Sequence, residues 1–168
     1  NAQRHGMVMW DEIFEEVSQD FRDITTDKML VDAMTNRMVL EPKSIDTVVA
    51  SNLHADILTD LAASLSGSMG IAPTGNLDPD KRHPSMFEPI HGSAFDIMGK
   101  GIANPIGSYW SAVMMLENLG ELKAAQKLMF AIEKLTYDKK YLPQDLGGNS
   151  STKKITKAMI DIISGKNN

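Results

Sequence analysis

Apolar residues recur at helical spacing along much of the chain, and each such stretch is closed by a turn-forming residue. From Val8 to about Ser18, Trp10, Ile13, Phe14 and Val17 alternate with acidic residues and predict a helix. Asp27 to Leu40 predicts a second, stopped by Glu41-Pro42. A third spans about His54 to Ser66, with Ile57, Leu58, Leu61 and Leu65 as its apolar stripe and Gly67 at its end. Pro105 opens a fourth, with Ile106, Tyr109, Trp110, Val113 and Met114 inward and Gly120 as terminator. Two more are expected over about Glu121 to Leu135 and Thr152 to Ser164. Two short segments read as strands. One is Phe21 to Thr25; the other is Ile45 to Ala50, apolar and β-branched enough for a buried strand. Gly67 to Asn104 collects much of the Gly and Pro and reads as irregular. Strand, helix, Gly-rich loop and helix in succession predict an α/β fold with ligands at strand ends.

Composition narrows the class. The chain has 168 residues, 42% hydrophobic and 23% charged, an ordinary globular balance that excludes a disordered or collagenous protein. A net charge of −5 supplies no basic field for nucleic acid or anionic lipid. No apolar run approaches the ~18 residues of a membrane span. Zero Cys excludes disulfides, a thiolate zinc site and a cysteine nucleophile, and fits a cytoplasmic protein. The chain opens at Asn1 without Met, as a processed chain or a fragment would.

Two regions carry candidate chemistry. Asp56 and Asp60 stand at i and i+4, one turn apart on the same helix face and away from the apolar stripe. This pattern is either a solvated acidic face or a divalent-cation site whose hard oxygens select Mg²⁺ or Mn²⁺. The solvated face is the default for such a helix, and position adds weight to the cation reading, because the helix begins just after the expected strand at Ile45 to Ala50. Asp32 is less clear: it lies in the otherwise apolar Met29 to Met34, and its neighbours Thr35 and Asn36 on the helical wheel make a polar outer face an even bet. The second region comprises His91-Gly92-Ser93-Ala94 and Gly99-Lys100-Gly101-Ile102-Ala103-Asn104, whose backbone could approach a nucleotide closely. Neither segment matches a generic nucleotide motif. Asp96 between them suits a ribose acceptor or a helix N-cap.

Three ordered motifs carry a resemblance. Ser51-Asn52-Leu53-His54-Ala55-Asp56-Ile57-Leu58-Thr59-Asp60, Phe87-Glu88-Pro89-Ile90-His91-Gly92-Ser93-Ala94 and Gly99-Lys100-Gly101-Ile102-Ala103-Asn104-Pro105 resemble the β-decarboxylating dehydrogenases, the isocitrate/isopropylmalate dehydrogenase family. The likeness extends to Pro143-Gln144-Asp145-Leu146-Gly147-Gly148. Gly75-Asn76-Leu77-Asp78-Pro79-Asp80 and Pro84-Ser85-Met86 look most like the tartrate/D-malate branch.

The resemblance implies an isopropylmalate dehydrogenase-like α/β fold, represented by its C-terminal half. Residues 1–50 would belong to the small dimerisation domain and 51–168 to the later part of the large cofactor-binding domain. It implies oxidation and decarboxylation of a small 2-hydroxy acid by a homodimer using NAD and Mn²⁺ or Mg²⁺. Asp56, Asp60 and the catalytic Asp32 match the metal ligands, Asp32 reaching into the partner's site. Asn1, Glu88, His91, Gly92, Ser93, Ala94, Asp96 and Asn104 match cofactor positions, and a carboxylate at Asp96 favours NAD over NADP. His54-Ala55 and Phe95 depart from the wider family's aromatic-Gly pair and Pro. The family's substrate-clamping arginines, catalytic Tyr and catalytic Lys match nothing in this chain. A 3-isopropylmalate dehydrogenase and a non-catalytic dimerising or nucleotide-binding remnant are the alternatives.

Overall fold

Six α-helices, one hairpin and three short 3-10 turns (Pro42–Ser44, Met69–Ile71 and Gln144–Leu146) make up the regular structure of residues 5–166, the part described by a computed structural model. The helices are α1 (Val8–Ser18), α2 (Val31–Leu40), α3 (Asn52–Leu65), α4 (Ile106–Asn118), α5 (Leu122–Asp138) and α6 (Thr152–Ile163). The strands are β1 (Pro73–Asn76) and β2 (Met86–Pro89). The chain divides into two compact units, Asn1–Ala62 and Ala63–Asn168, so the division falls inside α3. The boundary expected near residue 50 lies ahead of that helix.

In the second unit, α4 packs against α5, α5 against α6, and the hairpin lies on α4. Ile106, Val113, Ala125, Ala131, Ile132, Leu135, Ile155, Ala158 and Met159 form its buried core. Helical periodicity places these residues inward, and Ser151 caps α6 by accepting a hydrogen bond from the Lys154 amide at 3.3 Å. Gly107 lets α4 approach the chain closely: a Cβ there would lie 3.0 Å from the Gly70 carbonyl oxygen and 3.2 Å from Pro89 Cβ. The hairpin is antiparallel, pairing Thr74 with Glu88 and Gly75 with Phe87. Its connecting loop is held by Asp78, whose carboxylate accepts the amides of Asp80 (3.1 Å), Arg82 (2.9 Å) and His83 (2.8 Å).

In the first unit, α1 buries none of its residues; Ile13 and Val17 are about half exposed. Arg37 on α2 pins the turn after the helix, donating from Nε to Ser44 Oγ and from a terminal nitrogen to the Ser44 carbonyl, both at 2.8 Å. Its other nitrogen meets Asp27 at 3.0 Å.

Several sequence expectations need correction. The second helix starts at Val31, four residues after Asp27. Phe21 to Thr25 forms no strand, and its first residues take a turn. Ile45 to Ala50 forms no strand either: Ile45 is extended (φ −104°, ψ 127°), but no neighbouring strand pairs with the segment among the described residues. Val49 is 62% exposed there. A β-branched run supplies the extended conformation, but a strand also needs a ladder partner. Conversely, Gly67 to Asn104 contains the hairpin, the sole sheet among the described residues. Along α3, Leu58 is buried, whereas Ile57 and Leu65 of the expected stripe are about half exposed. Among the described residues no helix is long and apolar enough to cross a membrane.

Candidate functional site

α3 carries Asp56 and Asp60 one turn apart, and both are exposed. The Thr59 hydroxyl donates to the Asp56 backbone carbonyl at 3.2 Å. Asp32 stands exposed in the first turn of α2; its Oδ1 accepts the Ala33 amide at 2.9 Å, and its backbone carbonyl accepts the Thr35 hydroxyl at 2.7 Å. Exposed carboxylates are a hard-oxygen donor set that suits Mg²⁺ or Mn²⁺. Within one chain the described residues gather no group of three His, Asp or Glu around a common point. The structure therefore keeps Asp56 and Asp60 as a pair on one helix and Asp32 on another.

The other expected site residues lie in the second unit. Glu88 is exposed on β2, and His91 to Ala94 follow that strand after Ile90. The His91 ring Nδ1 lies 3.1 Å from the Gly92 carbonyl. Ala94 takes φ +44°, a left-handed conformation uncommon for a residue with a Cβ, which costs about 1–3 kcal/mol and clusters at ligand loops. A tight turn follows, its amides bonding Ile97 to Ala94 at 3.0 Å and Lys100 to Ile97 at 3.1 Å. Asp96 sits in that turn, exposed, and its carboxylate caps no amide and meets no cation among the described residues. Of its two sequence readings, the N-cap is not realised. A carboxylate left open to solvent fits an acceptor for a ligand's hydroxyl groups. Asn1 lies outside the described residues.

Asn104 is bound on both sides of its amide. Oδ1 accepts the Ile106 amide at 2.9 Å, closing the first turn of α4, and Nδ2 donates to Asp145 Oδ2 at 2.8 Å. The same carboxylate oxygen accepts the Ser68 hydroxyl at 2.5 Å, and Ser68 Oγ accepts the Gly70 amide at 2.9 Å. Gly70 has no room for a side chain: a Cβ there would meet Asp145 Oδ2 at 2.5 Å and Asn104 Nδ2 at 2.9 Å. Just before Asn104, the Ala103 carbonyl accepts the Thr152 hydroxyl at 2.5 Å, and the Gly101 carbonyl accepts the Thr152 amide at 2.9 Å. Both ends of the segment from Gly101 to Asn104 are thus fastened to the C-terminal part of the chain. Sequence reasoning assigned Asp145, Ser68 and Thr152 no role, although Asp145 lies within the Pro143 to Gly148 motif.

The isocitrate/isopropylmalate dehydrogenase family profile matches residues 1–163. The chain belongs to this family. It is 62% identical over 167 residues to a probable tartrate dehydrogenase/decarboxylase of Agrobacterium vitis, covering 99% of this chain and 46% of that protein. It is 42% identical to the decarboxylating D-malate dehydrogenase of Escherichia coli, covering 94% of this chain and 45% of that one. The chain therefore spans about half the length of the curated relatives it matches. Among solved structures, isocitrate dehydrogenase from Methylococcus capsulatus superposes with a TM-score of 0.85 at 37% identity, over 90% of this chain and 44% of that one. The isopropylmalate dehydrogenase-like fold expected from the motifs is thereby established for this family member.

Proposed function

We propose that the protein carrying this chain oxidises and decarboxylates a small 2-hydroxy acid of the tartrate or D-malate type. It does so as a homodimer with NAD and Mn²⁺ or Mg²⁺, this chain being the C-terminal portion. One observation carries the reading: the match to a probable tartrate dehydrogenase/decarboxylase, at 62% identity, spans 167 residues, nearly all of the chain. Supporting it are the exposed carboxylate pair on α3 and the exposed Asp96 in its turn.

The chain's own residues divide the work. Asp56 and Asp60, with Asp32 from the partner subunit, offer hard oxygens to the divalent ion. When bound, that ion supplies Lewis-acid polarisation of the substrate oxygen. Asp96 accepts hydrogen bonds from the adenosine ribose hydroxyls and repels a 2′-phosphate, which sets the preference for NAD. The backbone from His91 to Ala94, with Glu88 beside it, lines the dinucleotide, and Asn104 is a further cofactor position. General acid and base groups and the carboxylate clamp come from the remainder of the protein.

The test uses the whole protein encoded by the reading frame that carries this chain. With D-malate or tartrate, NAD and Mn²⁺, NADH and CO₂ should appear in equal amounts, and 3-isopropylmalate should be the poorer substrate. Preference for 3-isopropylmalate would move the protein to another branch. The absence of NADH with all three acids would leave only a dimerising or nucleotide-binding remnant.

A further inference from the structure

The net charge of −5 averages two unlike stretches of chain. Residues 1–120 hold seventeen carboxylates against eight cations, a net −9, whereas residues 121–168 hold nine lysines against five carboxylates, a net +4. Five of those nine lysines lie on α5 or in the two residues after it. Lys123, Lys127, Phe130, Lys134 and Tyr137 recur every three or four residues and therefore share one side of the helix. Ala125, Ala131, Ile132 and Leu135 occupy the other side and are buried in the core. In the outward row Phe130 is 59% exposed and Tyr137 86%, and Lys123 and Lys127 are exposed as well. Leu122, also more than half exposed, lies within a quarter-turn of the row. The two acids within α5, Glu133 and Asp138, fall at the borders of the row. Just past the helix, Lys140 and Lys154 both approach the Tyr141 ring, with Nζ at 5.2 and 5.3 Å from its centre.

We infer that this side of α5 is a docking surface for an anionic lipid membrane. The lysines meet the headgroups, while Phe130, Tyr137 and Leu122 enter the boundary between headgroups and acyl chains. A basic row beside exposed aromatic and aliphatic side chains is the pattern of helices that lie on such a boundary. The shape of the surface selects lipid over a folded protein partner. The nearby groove, lined by Trp110, Met129, Ile132 and Leu142 among others, includes no member of the row, so the rings project from a convex face. A yielding lipid surface envelops projecting rings without needing matched pockets. Phe130 and Tyr137 lie about 10 Å apart along the helix axis, too far to stack successive bases of a nucleic acid. The membrane is touched and not crossed, since no helix among the described residues is long and apolar enough to span it. The surface is independent of the proposed reaction, and none of its residues is expected at the metal or the cofactor.

The experiment is co-sedimentation of the whole protein with vesicles of phosphatidylcholine containing about one-third phosphatidylserine, and with vesicles of phosphatidylcholine alone. The anionic vesicles should bind on the order of tenfold more tightly, and the difference should vanish at about 1 M salt, where the Debye length is about 3 Å. Lys123→Gln together with Lys127→Gln should weaken binding on the order of twentyfold, about fivefold for each lysine. Phe130→Ala together with Tyr137→Ala should weaken it on the order of tenfold. Lys43→Gln together with Lys81→Gln, both exposed elsewhere, should change it by less than about twofold. The inference is overturned if the whole protein binds neither kind of vesicle or both equally, or if the control pair weakens binding as much as the α5 pair. Binding that ignores the loss of both rings also overturns it, because charge alone would then suffice. Displacement of the vesicles by a thymidine oligonucleotide that binds more tightly would identify a nucleic acid as the partner instead. Should the variant lacking both rings not fold, hydroxyl-radical footprinting of the native protein answers in its place. Anionic vesicles should shield Phe130 and Tyr137; labelling unchanged by vesicles, or rings already shielded without them, overturns the docking surface.

Discussion

Replacing Asp96 with Lys offers a quantitative check on the cofactor reading. Asp96 stands in an exposed turn beside Phe95, which is 79% exposed, and its carboxylate has no partner among the described residues. A charge so placed acts through water, where a pair of unit charges at about 4 Å is worth about 1 kcal/mol. A 2′-phosphate carries close to two negative charges, and Asp96→Lys changes the facing charge by two. The swing is roughly 3 to 4 kcal/mol, and salt near the physiological Debye length of about 8 Å brings it to roughly half. Loss of the charge-assisted bonds to the ribose hydroxyls removes about 1.5–3 kcal/mol from NAD binding. Together these shift the NADP-to-NAD preference by on the order of a hundredfold to a few thousandfold, at about 1.4 kcal/mol per decade. The assay is kcat/KM for each dinucleotide with the whole protein, the hydroxy acid and Mn²⁺ being saturating. A ratio that moves by less than about threefold, with the melting curve unchanged, would refute the placement of Asp96 against the ribose.

Other outcomes follow from the same geometry. If Asp32 serves the partner's metal site, inactive Asp32→Asn and Asp56→Asn proteins should recover up to roughly a quarter of native activity after subunit exchange, because mixed dimers hold one intact site. Continued inactivity after verified exchange would place all three carboxylates on one chain. Ile155, wholly buried on α6, should cost about 2–5 kcal/mol when cut to Ala in urea unfolding followed by circular dichroism; a loss under about 1 kcal/mol would mean that α6 does not pack as described. Asp78→Ala should speed hydrogen exchange at the Arg82 and His83 amides while leaving the Ile155 amide unchanged. Unaltered exchange at both would show that the loop is held by something else.

Much of the helical architecture was legible because periodicity is local. Ile155, Ala158 and Met159 declare the buried face of α6 within a single turn, and Pro105 and Gly120 bracket α4. The strands were not legible, and for two different reasons. Ile45 to Ala50 has the composition of a strand, but a strand is a relation between segments and this one has no neighbour in the described chain. Pro73–Asn76 and Met86–Pro89 contain proline, glycine and asparagine, residues that β propensity disfavours, and they are joined by a loop far longer than a tight turn. The candidate site divides along the same line. Asp56 and Asp60 were visible as a pair because helical geometry converts a spacing of four into a shared face. Asp145 was invisible, since nothing periodic connects it to Asn104, which lies 41 residues away.

That separation also sets an order of events during synthesis. Joining Ser68 to Asp145 closes a span of 77 residues, and the entropy of closure is roughly 4 kcal/mol. One hydrogen bond returns about 1–3 kcal/mol, so it cannot draw the two segments together. The α4, α5 and α6 core must condense first, and the bonds of Ser68 and Asn104 to Asp145 then form on a frame already standing. On the ribosome, the segment from Gly101 to Asn104 stays unfastened until Asp145 and Thr152 have emerged. A stop codon shortly before Asp145 would therefore leave a product with α1 to α5 encoded in full and this segment still open. The last quarter of the chain, which contributes none of the residues expected to touch the cofactor or the metal, decides when that segment is closed.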